Sequence, residues 1–163
     1  MQVRHFRSNP SEGERTMKAK ELMTPTPKVC TSDDRIVDVA RMMRDYDVGS
    51  LPVVENSGTN RLIGIITDRD IVVGPVADEL FTATVGDVMT PNPHTVRTDD
   101  GVAQVERVMK EQQVRRIPVV DEIGSVVGVI AQADLALKDR GASDRDVGQV
   151  VEEISRPKEG ASA

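Results

Sequence analysis

The chain repeats itself. Met23-Thr24-Pro25-Thr26-Pro27 returns as Met89-Thr90-Pro91-Asn92-Pro93, and a constant offset of 66 carries one copy onto the other without a gap. Asp33-Asp34 then falls on Asp99-Asp100, Val39 on Val105, Arg41 on Arg107, Met43 on Met109 and Pro52-Val53-Val54 on Pro118-Val119-Val120. A two-residue deletion shifts the offset to 64, so that Gly64 meets Gly128 and Asp70 meets Asp134. Self-similarity at a long fixed period predicts two copies of one supersecondary unit. A unit this short cannot bury both its faces alone, so the two are expected to pack together, with any ligand between them.

Each copy reads as β-α-β-β-α after a short opening helix, which spans Lys18–Met23 in one copy and Val85–Met89 in the other, with Thr84 as N-cap. Two prolines then extend the chain. Short strands are expected at Val29–Thr31 and Thr95–Arg97, followed by Asp33-Asp34 and Asp99-Asp100, which suit the positive end of a helix. Ile36, Val39, Ala40 and Met43, and Val102, Val105 and Met109, recur at helical spacing. Apolar runs at Ser50–Val54 and Leu62–Thr67 flank a turn-rich segment, which predicts a hairpin. A last helix starts at Asp68 and at Gln132. The expected organisation is a polar tail over 1–16, repeats over 17–78 and 79–138, and a second tail over 139–163. That second tail contains an amphipathic segment carrying Val147, Val150, Val151 and Ile154 on one helical face.

Composition narrows the function classes. Phe6, Phe81 and Tyr46 are the only aromatics, so the core must be aliphatic and stacking platforms for single-stranded nucleic acid are missing. A net charge of −6 without a basic run argues against phosphate-backbone binding. Cys30 has no second cysteine for an intramolecular disulfide, and His5 and His94 are too far apart in sequence to read as a zinc site. No apolar stretch is long enough to span a bilayer, and the N-terminal segment lacks a signal-peptide core. A soluble cytoplasmic protein is expected, without membrane or nucleic-acid partners. No nucleophile, base and orienter stand at recognisable spacing, so no enzyme is expected.

The segment Gly64-Ile65-Ile66-Thr67-Asp68-Arg69-Asp70 carries the most chemistry. A strand ending at Thr67 gives way at once to a helix, leaving free N–H groups beside an Asp suited to a ribose diol. Thr-x-x-Asp is equally a capping box that needs no ligand. With its MTP-x-P opening, its Leu51-Pro52-Val53-Val54 and Ile117-Pro118-Val119-Val120 strands and this G-h-h-T-x-x-D ending, the duplicated unit resembles a tandem pair of cystathionine-β-synthase (CBS) domains. The likeness is to a Bateman module standing alone, as in bacterial proteins of the hypoxic-response type.

That resemblance implies an α+β fold of two β-α-β-β-α CBS repeats related by pseudo-two-fold symmetry. It implies regulatory clefts for AMP, ADP, ATP or S-adenosylmethionine, a homodimer formed through CBS helices, and signalling to a protein partner. It places the ribose-binding pair on Thr67 and Asp70; in the second copy Asp134 is kept and Ala131 stands for the Thr. It adds the strand starts at Val29-Cys30 and Thr95-Val96, and the residues before the h-P-V-V strands, Gly49-Ser50 and Arg115-Arg116. Two arginines beside a helix start suit a phosphate. Met42, Met43 and Met109 read as core or dimer packing, His94 as structural or exposed, Cys30 as a small buried apolar residue, and the paired aspartates as helix caps rather than metal ligands.

Overall fold

The computed structural model describes residues 17–138 and Glu152. The amphipathic segment of the second tail therefore lies outside the described residues, apart from Glu152. In chain order the elements are α1 (Ala19–Leu22), β1 (Thr24–Pro25), β2 (Cys30–Thr31), α2 (Ile36–Asp45), β3 (Ser50–Val54), β4 (Leu62–Thr67) and α3 (Asp68–Ile71). After a π-helical turn at Val72–Val76 come α4 (Val85–Val88), β5 (Thr90–Pro91), β6 (Val96–Arg97), α5 (Val102–Gln112), β7 (Arg116–Val120), β8 (Val126–Ala131) and α6 (Gln132–Lys138).

Two four-stranded sheets result, in the orders β2-β3-β4-β5 and β1-β8-β7-β6. Each pairs a central hairpin antiparallel and adds a parallel strand on one side, so the apolar runs become interior strands. All five residues of β3 are buried. Helix α2 sets Ile36, Val39 and Met43 into the first core, and α5 sets Val102, Val105 and Met109 into the second. That is the i, i+3, i+7 stripe of an amphipathic helix. Met43 and Met109 are thus core residues, with Met42 half-buried against the first core.

The sheet orders also show an exchange. Strand β1, from the opening of the first repeat, pairs with β8 of the second; β5, from the opening of the second, pairs with β4 of the first. The opening helices go with them. Ala19 and Leu22 are fully buried in the core built by Val105, Ile117 and Ile130, while Val85 is fully buried in the core built by Val39, Leu51 and Ile66. Burying a Leu side chain contributes about 1.5–3 kcal/mol, so each arm is anchored to the opposite repeat. Backbone bonds fasten it further: Ala19 N donates to Asp100 O at 2.8 Å, and Val85 N to Asp34 O at 2.8 Å. Lys18 and Lys20 add ion pairs to Asp99 at 3.3 and 2.9 Å. At the other end the hairpin turns meet, where Ser125 Oγ donates to Thr59 O at 2.7 Å.

One expectation is corrected. The paired aspartates do not cap the long helices, whose N-caps are Arg35 and Gly101. Asp34 instead accepts from Thr31 N, and Asp100 from Arg97 N, both at 2.8 Å, bracing the turn between strand and helix. The last helix of the first repeat is short. Pro75 lacks the N–H that would continue α3, and the backbone widens, with Ala77 N donating to Val72 O five residues back at 3.2 Å. Thr84 is the N-cap of α4, as its sequence suggests, and Asp87 Oδ2 accepts from its backbone N at 2.8 Å.

Candidate functional site

A cavity of about 420 Å³ opens where the exchanged arm passes between the repeats. Volumes from about 300 to 1,000 Å³ are usual for small-molecule sites. Its wall is assembled from three places. The arm contributes Thr24, Thr26 and Lys28; the end of α2 and start of β3 contribute Tyr46 through Pro52; the second repeat contributes Arg116, Ala131 and Asp134. Local backbone geometry explains the approach. Thr26 and Asp47 both adopt left-handed φ values, 51° and 53°, which turn the chain sharply on either side of the opening.

Gly49, Ser50, Arg116 and Asp134, all expected at a ligand site, line this cavity together. Thr67, Asp70, Arg115, Val29, Cys30, Thr95 and Val96 do not line it. Thr67 and Asp70 close on each other in a capping box: Thr67 Oγ1 donates to Asp70 Oδ2 at 2.7 Å, and Asp70 N donates to Thr67 Oγ1 at 3.1 Å. In the second repeat, Ala131 supplies only its backbone N to Asp134 Oδ2, at 2.8 Å. The substitution that removes a hydroxyl also removes one competitor for the Asp134 carboxylate. Lys28 and Arg116 set two cations around the opening, and Asp47 and Asp134 two carboxylates. A neutral diol bound by a carboxylate and an anion bound by cations both fit such a mixed lining.

Cys30 and Val96 point into the two cores, each 2% exposed. Burial pushes the Cys30 thiol up to about 12, and the charge of Asp34 adds to the shift. At pH 7 the thiol therefore stays protonated, and the thiolate is the reactive form. A disulfide reagent should leave Cys30 unmodified in the folded protein and label it rapidly in denaturant; rapid labelling of the folded chain would contradict this burial. Sequence reasoning passed over Tyr46, whose ring carries Lys28 Nζ at 4.5 Å from its centroid. The signal available was its position three residues before the Gly49-Ser50 segment.

The family model of the CBS domain matches residues 19–74 and 85–140, well over half of the chain. The chain belongs to the CBS-domain family. It is a CBS pair whose α+β repeats are the two halves described above. Hypoxic response protein 1 of Mycobacterium tuberculosis is 32% identical over 141 residues, covering 85% of this chain and 94% of that protein. A crystal structure of Hypoxic Response Protein I with two coordinated zinc ions matches with a TM-score of 0.67, 32% identity and coverage of 75% and 98%. Among the described residues here, no group of three or more His, Cys, Asp or Glu side chains could hold a metal ion.

Two further crystal structures carry adenosine compounds. The CBS pair of protein MJ0100, in complex with 5′-methylthioadenosine and S-adenosyl-L-methionine, matches at TM-score 0.67 and 28% identity, covering 74% of this chain and 93% of that one. CBSX2 in complex with AMP matches at 0.61 and 25%, covering 85% and 98%. CBS pairs are in general regulatory ligand-binding modules. No helix among the described residues is long and apolar enough to cross a membrane.

Proposed function

We propose that this CBS pair is a non-catalytic sensor that binds one adenosine-containing ligand in the inter-repeat cavity and reports it to a protein partner. The observation that carries the reading is the lining of that cavity. Asp134, on the first turn of α6, offers a carboxylate suited to a ribose diol, and Lys28 and Arg116 line the same cavity with charges suited to a phosphate or another anionic group. The adenosine compounds held by the MJ0100 pair and CBSX2 support the same ligand class. Residues of both repeats and of an exchanged arm meet at the cavity. A ligand that binds one arrangement of them more tightly shifts the population toward it, and this supplies the signal.

AMP, ADP, ATP and S-adenosylmethionine are the candidates, and a cytoplasmic homodimer associating through the CBS helices is the proposed working form. Calorimetric titration with each of the four, and with NAD, tests the reading. At least one should bind saturably at one site per chain and raise the melting temperature. No heat and no thermal shift from any of them would defeat the sensor, and turnover of any would make the protein an enzyme. The self-satisfied Thr67–Asp70 box favours a second reading for the other half of the molecule, in which that side serves only to hold the repeats together.

A further inference from the structure

We propose that Tyr46 and Lys28 are the residues by which the cavity chooses its ligand: the Tyr46 ring stacks on the base, and the Lys28 ammonium takes the anionic group. This rests on the adenosine reading above and names the side chains that would enforce it.

Tyr46 ends α2, and the chain reverses directly after it. Asp47 is left-handed, Val48 N donates to Met43 O at 2.9 Å, and the strand then leaves through Gly49 and Ser50. The reversal leaves the phenol ring half-exposed on the cavity wall, where it is the one aromatic ring in the lining. The remaining apolar lining, from Val48, Leu51, Pro52 and Val129, offers surface but no π face. Lys28 reaches the ring from the arm, following the rigid Pro27. An exposed ammonium over a ring face is held weakly, so it can leave the ring for a phosphate and free that face for a base.

The duplicated half of the molecule supplies the internal comparison. At the offset of 66, Thr26 and Asp47 correspond to Asn92 and Gln113, whose φ values of 47° and 54° match 51° and 53°. The backbone frame is therefore built twice. The side chains placed on it are not, because Lys28 corresponds to His94 and Tyr46 to Gln112. Geometry alone does not require a ring or an ammonium here, since the same turns form without them. Their presence on one side only, on the wall shared with Asp134, is a matter of ligand chemistry.

The chain contains no Trp and one Tyr, so intrinsic tyrosine emission reports on Tyr46 directly. Saturating AMP should change that emission with the midpoint seen by calorimetry. Tyr46→Leu should weaken AMP about 10-fold or more, the scale of one base–aromatic stack, and Tyr46→Phe should stay within about 2-fold of wild type. Lys28→Met should weaken AMP more than adenosine. Unchanged AMP affinity in Tyr46→Leu, an equal loss in Tyr46→Phe, or unaltered emission at saturation would overturn the assignment while leaving the sensor intact. Failure of the wild-type chain to bind any of AMP, ADP, ATP, S-adenosylmethionine and NAD would overturn the sensor, and this inference with it.

Discussion

Replacing Gly128 with alanine is expected to lower the melting temperature by about 2–12 °C without changing the ligand that is bound. Gly128 lies on β8 opposite Pro25 of the exchanged arm. A Cβ there would stand 2.7 Å from Cγ and 2.9 Å from Cβ of Met23, inside any distance those carbons tolerate. Overpacking of this kind costs about 1–3 kcal/mol, and each kcal/mol shifts the midpoint of a domain this size by about 2–4 °C. The atoms in the way are mainly those of one side chain, so Met23→Ala in the same chain should recover part of the loss. The matching glycine behaves differently. A Cβ on Gly64 would meet Met89 Sδ at 2.6 Å but also the backbone oxygen of Thr90 at 3.1 Å, and a carbonyl in a strand cannot swing aside. Met89→Ala removes both side-chain atoms and leaves only the 3.1 Å contact, whereas Met23→Ala keeps a Cβ at 2.9 Å from the new methyl. Gly64→Ala should therefore be rescued at least as well by Met89→Ala. Melting curves of the five proteins decide the matter, and a Gly128→Ala chain as stable as wild type would refute the packing argument.

The second large effect concerns the carboxylate at the cavity. Asp134→Asn should weaken the adenosine ligand by about 10- to 100-fold, the scale of one or two hydrogen bonds to a charged acceptor. The amide oxygen can still accept from Ala131 N, so that bond is kept. Asp70→Ala should show the opposite pattern. It opens the Thr67–Asp70 box, which as a lost cap costs about 0.5–2 kcal/mol, and it leaves ligand affinity at this cavity unchanged. Paired calorimetry and thermal melts of the two variants separate binding from structure. If Asp70→Ala abolishes binding and Asp134→Asn does not, the ligand occupies the other side of the molecule.

That contrast marks where the sequence could be read and where it could not. The duplication, the hairpins at Ser50–Thr67 and Arg116–Ala131 and the amphipathic helices were legible because each is written in local periodicity. Gly49, Ser50, Arg116 and Asp134 could be named because the resemblance to CBS pairs implies ligand contacts at those positions. Which of them share a space was not legible, because Thr24-Pro25 and Thr90-Pro91 are two-residue strands. Their pairing is decided by where Leu22 and Val85 are buried rather than by any pattern of their own. The paired aspartates misled for a related reason: their carboxylates reach back to the strand that precedes them, a choice that helix-end electrostatics alone does not predict. Tyr46 stood out only as one of three aromatic residues, because it is the tertiary fold that brings Lys28 over its ring.

The crossed arms bear on how such a chain could arise. A solitary repeat would carry an opening helix with no groove to fill and a sheet edge left bare. Two solitary copies could satisfy each other by trading those segments, as strand-swapped dimers do, and joining them end to end would fix the trade within one polypeptide. The same logic predicts that cutting the connector near Glu79 gives halves that do not fold as monomers when produced separately and fold together when co-expressed. Duplication here is therefore a condition of stability for each half, and only secondarily a way of making two clefts.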